Sequence, residues 1–255
     1  MVLVKKRVIK GIPALDVTME NLHDDELPIV IFIHGFESLK EINLHYAYML
    51  AEKGFRIILP EALYHGERSK ELKGAELRIR FWQIVTRTID ELKTIKDFYI
   101  QEHLGDPQRI GVAGTSMGGV VTLGALSRYD WIKAGVSLMG NPAYEKFARS
   151  QINEMREAGV RLPFTEDEVE SIMAGLWKYD LTAHPENLAG RPLLFWHGAL
   201  DPVVPIEGAR NFYADIKDKY RDSPDKLKFI EDPEGVHKVS LEGLRATVEW
   251  FSHHL

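Results

Sequence analysis

Residues 114–119 read Gly-Thr-Ser-Met-Gly-Gly. A serine in Gly-x-Ser-x-Gly can act as a nucleophile when it stands on a sharp turn from a strand into a helix. RIGVAG (109–114) has the apolar and small residues of a buried strand, and MGGVVTLGALSRY (117–129) reads as a closely packed helix. Ser116 falls on the turn between them. Glycines on either side relieve the crowding around a strained serine backbone. The helix N-terminus favours negative charge growing on a tetrahedral intermediate. The plainer alternative is a tight turn that only needs room.

A serine hydroxyl is a weak nucleophile and needs a base, which in turn needs an orienting acid. In strand-turn-helix sites these partners follow in the order serine, acid, histidine, each just after a strand. Among the 10 histidines, only His237, His253 and His254 lie beyond residue 200. The last two fall in or at the end of a closing helix and read as surface residues. His237 follows the strand-like KLKFIED (226–232) by a short loop. Asp201 directly follows PLLFWHGAL and precedes Pro202. Asp215, Asp218, Asp222 and Asp225 read as solvated charges, and Asp180 is the weaker rival for the acid. The oxyanion needs two backbone donors. One is the N–H of Met117, and the other is expected from the loop His34-Gly35-Phe36, where Gly35 lets the chain approach closely and Phe36 offers its N–H.

These groups can cooperate only if strands deliver them to one edge. VLVKKRVI (2–9) and IPALDVT (12–18) read as early strands, and the unbroken apolar run at 29–33 as a strand buried on both faces. FRIILP (55–60), 109–114, 133–140, 192–201 and 226–232 continue the series. Between them, 41–53, 76–102, 117–129, 206–220 and 238–253 have helical periodicity, with Gly54 and Gly105-Asp106-Pro107 as stops. The alternation predicts an α/β fold, a mostly parallel sheet with helices on both faces.

Residues 141–190 interrupt that rhythm without a strand of their own. Helices are predicted near 143–158 and 166–178, the second opened by a Thr165/Glu168 capping box. So long a connection reads as a lid inserted in a core formed by 1–140 and 191–255. The alternative is a helical decoration touching no site. Its apolar residues exceed the needs of two surface helices, and Phe147, Met173 and Trp177 are candidate substrate contacts.

The chain has 255 residues, no cysteine and a formal net charge of −6. Disulfides, thiolate catalysis and cysteine-based zinc sites are excluded. No basic cluster suits nucleic acid or an anionic membrane. No stretch is long and apolar enough for a transmembrane helix, and the N-terminus lacks the features of a signal peptide, so a cytoplasmic location is expected. No metal, phosphate-loop or dinucleotide motif occurs, and the chemistry asks for no cofactor. His65, Glu67 and Arg68 follow a core strand. Arg68 either meets a substrate carboxylate or pairs with an acid such as Glu67. His34 and His197 read as structural histidines at strand ends.

HGF (34–36), GTSMGG (114–119), HGALDPVVP (197–205) and EGVH (234–237) together resemble the α/β-hydrolase fold over essentially the whole chain. PEALYHGER (60–68) resembles the branch of small bacterial esterases related to dienelactone hydrolases and prolyl oligopeptidases. The resemblance implies an eight-stranded sheet with an antiparallel second strand and a lid after the sixth. It also implies a serine esterase acting on a small-molecule ester of short to medium acyl chain. True dienelactone hydrolases use cysteine where Ser116 stands, so their substrate does not carry over. A peptidase of the prolyl oligopeptidase type and a non-catalytic binding protein on the same scaffold are the rival readings. The first is disfavoured because such enzymes usually carry a large extra domain.

Overall fold

The strand β3 (Leu27–Ile33) is buried at every residue, and its alternate side chains go to opposite faces of the sheet. Ile29, Ile31 and Ile33 enter one apolar core; Val30 and Phe32 enter the other. A strand with no solvent face needs helices above and below, and the computed structural model, which describes residues 1–72 and 74–255, supplies them.

In chain order the elements are β1 (Val2–Ile9), β2 (Ile12–Met19), β3, α1 (Leu44–Ala51), β4 (Arg56–Pro60), α2 (Ala75–Ile79), α3 (Phe81–Gln101), β5 (Gly105–Thr115), α4 (Met117–Arg128), β6 (Ala134–Leu138), α5 (Tyr144–Glu157), α6 (Glu166–Leu176), β7 (Leu193–Gly198), α7 (Glu207–Ile216), β8 (Leu227–Asp232) and α8 (Leu241–His254). The eight strands form one sheet in the order β1-β2-β4-β3-β5-β6-β7-β8. Strand β2 runs antiparallel to both neighbours, and every other pairing is parallel. This is the topology implied by the α/β-hydrolase resemblance.

Helices α1 and α8 cover one face through Tyr46, Leu50, Trp250 and Phe251. Helices α3, α4 and α7 cover the other through Ile84, Ile89, Val120, Leu123 and Phe212. No helix among the described residues is long and apolar enough to cross a membrane.

Three boundaries differ from expectation. The stretch 76–102 is two helices, broken at Arg80, which turns the aromatic pair Phe81-Trp82 into the first turn of α3. Gly105-Asp106-Pro107 does not merely stop that helix; it begins β5, which pairs with Leu27 before a register shift. The helix expected over 41–53 starts as a 3-10 turn at Lys40–Asn43. The connection 141–190 is helical, with α5, α6 and two 3-10 turns, and the Thr165/Glu168 capping box forms with both reciprocal bonds.

Candidate active site

The C-terminal ends of β3, β5, β7 and β8 open on one side of the sheet, where ligands bind in open α/β folds. Ser116 sits at the end of β5 with φ 54° and ψ −115°, a conformation an L-residue adopts only under constraint. The constraint comes from both sides. Its N–H donates to Leu138 O at the end of β6 (2.8 Å), and its C=O accepts from Val120 N–H inside α4 (3.0 Å). Glycine is obligatory beside it. A Cβ on Gly118 would overlap the carbonyl of Ile33, and one on Gly114 would overlap the backbone of Gly118. The small residues of the motif therefore let α4 press against β3 and β5 so closely that only the serine projects.

His237 and Asp201 arrive from two other strands. Ser116 Oγ lies 2.8 Å from His237 Nε2, and His237 Nδ1 lies 2.7 Å from Asp201 Oδ2. With the proton on Nδ1, the imidazole donates to the carboxylate and accepts from the serine hydroxyl. The Asp201 carboxylate is fully buried. Its Oδ1 accepts the N–H groups of Val203 (2.9 Å) and Val204 (3.0 Å), while His197 Nε2 stands 3.3 Å from Oδ2 and donates to Val204 O at 2.8 Å. Burial alone would raise the Asp201 pKa. The nearby His197 ring, the hydrogen bond from His237 and those from the two amides outweigh it and hold the acid well below the usual carboxylate range. Asp201 thus stays an anion facing His237.

Asp180, the rival acid, is elsewhere. Its carboxylate accepts the N–H of Glu145 at the start of α5 (3.1 Å) and that of Thr182 (2.9 Å), a capping role. His253 and His254 lie at the C-terminal end of α8, near Asp225, outside the site.

The loop His34-Gly35-Phe36 passes next to the serine: a Cβ placed on Gly35 would stand 3.6 Å from Ser116 Cβ. Met117 opens α4, so its N–H has no carbonyl within the helix to bond. His34 is fully buried, donates from Nδ1 to Gly35 O (2.8 Å) and accepts Ala62 N–H at Nε2 (3.1 Å). Burial is the main cause pushing its pKa down to about 4, so it is neutral at physiological pH.

An apolar cavity of about 1080 Å³ opens from Ser116 and Met117 between the sheet and the segment 141–190. Phe36, Phe81, Trp82, Phe147, Met173 and Tyr179 are among its lining. Of the three substrate contacts expected from sequence, Phe147 and Met173 are there. Trp177 is not: it is 55 % exposed, and its ring meets His184 edge-on at 4.1 Å between centroids. Just past the end of α6 at Leu176, its ring packs on His184 rather than on the cavity. Conversely, Phe81 and Trp82 were read only as members of a long amphipathic helix. The only trace in the sequence is the adjacent aromatic pair itself, since nothing marks the helix break at Arg80.

Arg68 meets no substrate-facing space. It forms a two-pronged pair with Glu91 (2.8 Å for each bond), the outcome in which it pairs with another acid. Glu67 binds Lys40 instead (2.7 Å). Glu41, Glu61 and Glu67 bring their oxygens within 4.8 Å of one another, a spacing that could hold a metal ion. The Lys40 ammonium already bonds all three and supplies the cation.

Against known proteins, the prolyl oligopeptidase family matches residues 42–255. This chain belongs to the prolyl oligopeptidase family. As a member of that family it is an enzyme, a serine hydrolase. YitV of Bacillus subtilis (strain 168), which carries an esterase name, is 49% identical over 255 residues, covering 100% of both chains. The esterase YjfP of Escherichia coli (strain K12) is 32% identical over 259 residues, again covering 100% of both. Among solved structures, TT1662 from Thermus thermophilus superposes with a TM-score of 0.78 at 18% identity, covering 99% of this chain and 98% of that one, which speaks to the fold.

Proposed function

We propose that this family member is a carboxylesterase working through an acyl-enzyme, with Ser116, His237 and Asp201 as its triad. The single observation that carries the reading is the continuous chain from Ser116 Oγ through both nitrogens of His237 to Asp201, at 2.8 and 2.7 Å. Ser116 Oγ attacks the ester carbonyl as its proton passes to His237 Nε2. The imidazolium is held by Asp201 and returns the proton to the leaving alcohol as the carbon–oxygen bond breaks. Water then enters, gives its proton to His237, and attacks the acyl-enzyme; the proton returns to Ser116 Oγ as the acid leaves. The N–H groups of Phe36 and Met117 receive the oxyanion in both halves.

Two observations favour an ester. Both full-length relatives carry esterase names. The cavity beside the serine is largely aromatic and aliphatic, and at about 1080 Å³ it lies at the upper end of ligand pockets. Such a space suits a short to medium acyl chain or a comparably bulky alcohol. The segment 141–190 serves as the lid that walls it, through Phe147 and Met173.

The test is a panel of p-nitrophenyl esters of two to twelve carbons, run beside aminoacyl anilides, with a fluorophosphonate label. Expected are turnover that peaks within the ester series, label on Ser116, and a loss on the order of 10⁶ in kcat for Ser116→Ala. Anilide turnover exceeding ester turnover would favour the peptidase reading that the family also contains. Unlabelled Ser116 in folded protein would favour the binding-protein reading.

A further inference from the structure

The donor Phe36 N–H is only as good as the direction in which it points, and that direction is set from outside the triad. A trans peptide is planar, with its C=O and N–H on opposite sides. The Gly35 carbonyl accepts His34 Nδ1–H (2.8 Å) and Ser38 N–H (3.2 Å), so the N–H of the same peptide is fixed pointing to the opposite side. The following peptide is also fixed. Glu37 N–H donates to His65 Nε2 at 2.9 Å. Phe36 therefore sits between two anchored peptide planes.

The second anchor acts where the backbone most needs it. Glu37 has φ +57° without being glycine, a conformation that persists only when its surroundings hold it. His65 is itself 4 % exposed and oriented by a bond from Nδ1–H to Leu63 O (2.9 Å). Its ring meets Phe36 and His34 edge-on, at 5.6 and 5.1 Å between centroids.

Beneath the turn that carries His65 lies a buried ion pair. Glu61 is 1 % exposed and Lys40 2 %. Lys40 Nζ bonds Glu61 Oε2, and Lys40 N–H reaches Glu61 Oε1 at 3.3 Å. Gly66 is packed so tightly on the Glu61 carboxylate that a Cβ there would overlap it. Lys40 belongs to the segment just after Phe36 and Glu37, while Glu61 belongs to the segment of His65. The pair thus ties the oxyanion loop to the turn that steadies it. Such buried charge pairs stabilise little on balance, and fixing one geometry is their best-attested use.

We propose that His65, seated on the Glu61–Lys40 pair, is a positioning residue that aims the Phe36 N–H at the oxyanion. His65 touches neither substrate nor the reacting atoms, and acts through Glu37. The proposal rests on the esterase reading above, and the experiment separates the two. His65→Asn keeps a polar atom near the Nδ1 side but loses the acceptor for Glu37. His65→Gln extends its amide oxygen toward the Nε2 position and restores one. Each variant and the wild type are assayed on an aryl ester and on the matching thionoester, whose sulfur is a poor hydrogen-bond acceptor and draws little from the hole.

For His65→Asn the expected loss is about ten- to a hundredfold in kcat on the ester, with KM within about twofold. The ester-to-thionoester preference should shrink by the same factor, and His65→Gln should recover most of both. A preference unchanged in His65→Asn, whatever happens to the rate, overturns the proposal, because a merely structural defect slows both substrates alike. Equal kinetics for His65→Asn and wild type also overturn it. Absence of ester turnover by the wild type overturns the esterase reading itself.

Discussion

The two sides of the cavity are built by different physics. On the sheet side, the turn at Ser116 is fixed by backbone contacts: Gly118 against Ile33, the Ser116 N–H on Leu138 O, and a carboxylate at Asp201 with both oxygens engaged. No neighbour can shift without breaking a buried bond. On the other side, α5 and α6 are joined by surface ion pairs. Arg149 bridges Glu145 and Glu170 with its guanidinium 43 % exposed, and Arg156 reaches Glu166. That layer is docked on the core by buried apolar side chains such as Tyr144, Ala148, Val169 and Leu176, and by bonds such as Tyr144 OH to Val120 O (2.6 Å) and Trp82 Nε1 to Gln151 (2.9 Å). The groups proposed to react are held by buried backbone and carboxylate bonds, and the side chains proposed to meet the substrate sit on a layer whose outer face is tied by exposed ion pairs.

Four measurements can break or sharpen this contrast. The largest effect belongs to the rigid side. Asp201→Asn is expected to lower kcat about ten-thousandfold, because the amide favours the wrong His237 tautomer, with KM little changed. A loss under tenfold would mean that His237 is oriented mainly by other contacts. Next comes a proton effect confined to that side. Unfolded histidine takes up a proton below its ordinary pKa of 6.5, whereas folded His34 resists protonation down to about 4. This contribution to stability is complete above pH 6.5 and is lost as pH falls through about 4. Urea denaturation across that range should show the decline, and His34→Asn should flatten it.

Smaller effects are expected across the cavity. Met173→Phe narrows the space and should lower kcat/KM for a ten-carbon ester about tenfold relative to an acetyl ester. Equal changes on both esters would remove Met173 from substrate selection. Smallest of all, Arg149→Ala should leave Tm within about 1 °C, since exposed pairs contribute little. A clear drop there would show that the outer layer is held by its charges rather than by its docking bonds.

The same contrast explains what could be read without coordinates. The proposed triad and oxyanion loop were legible because each demands a residue type at a strand end, and the chain offers few candidates at those places. Ser116 needs glycines around it, His237 had no competitor after a strand, and Asp201 lies three residues past the end of β7. The burial of β3 on both faces was legible for a related reason, since it has no polar residue to expose, whereas the antiparallel β2 was given only by the family resemblance. Trp177 was misplaced because its ring packs on His184 just past the end of α6, a contact that composition does not record. The Glu61–Lys40 pair was invisible because charged residues read as surface, and burial of both partners depends on two loops meeting. Phe81 and Trp82 were missed because the break at Arg80 has neither Gly nor Pro to mark it.

The position of β8 has a consequence for how activity is gained and lost. It pairs only with β7, at one margin of the sheet, and its outgoing loop carries His237. Ser116 stands three strands inward, on β5. Detachment of this marginal strand would extinguish turnover while most of the sheet stayed intact. In a gradual denaturation, catalysis should therefore fade before the far-ultraviolet circular dichroism does. During folding, the protein becomes competent only after its outermost strand has docked.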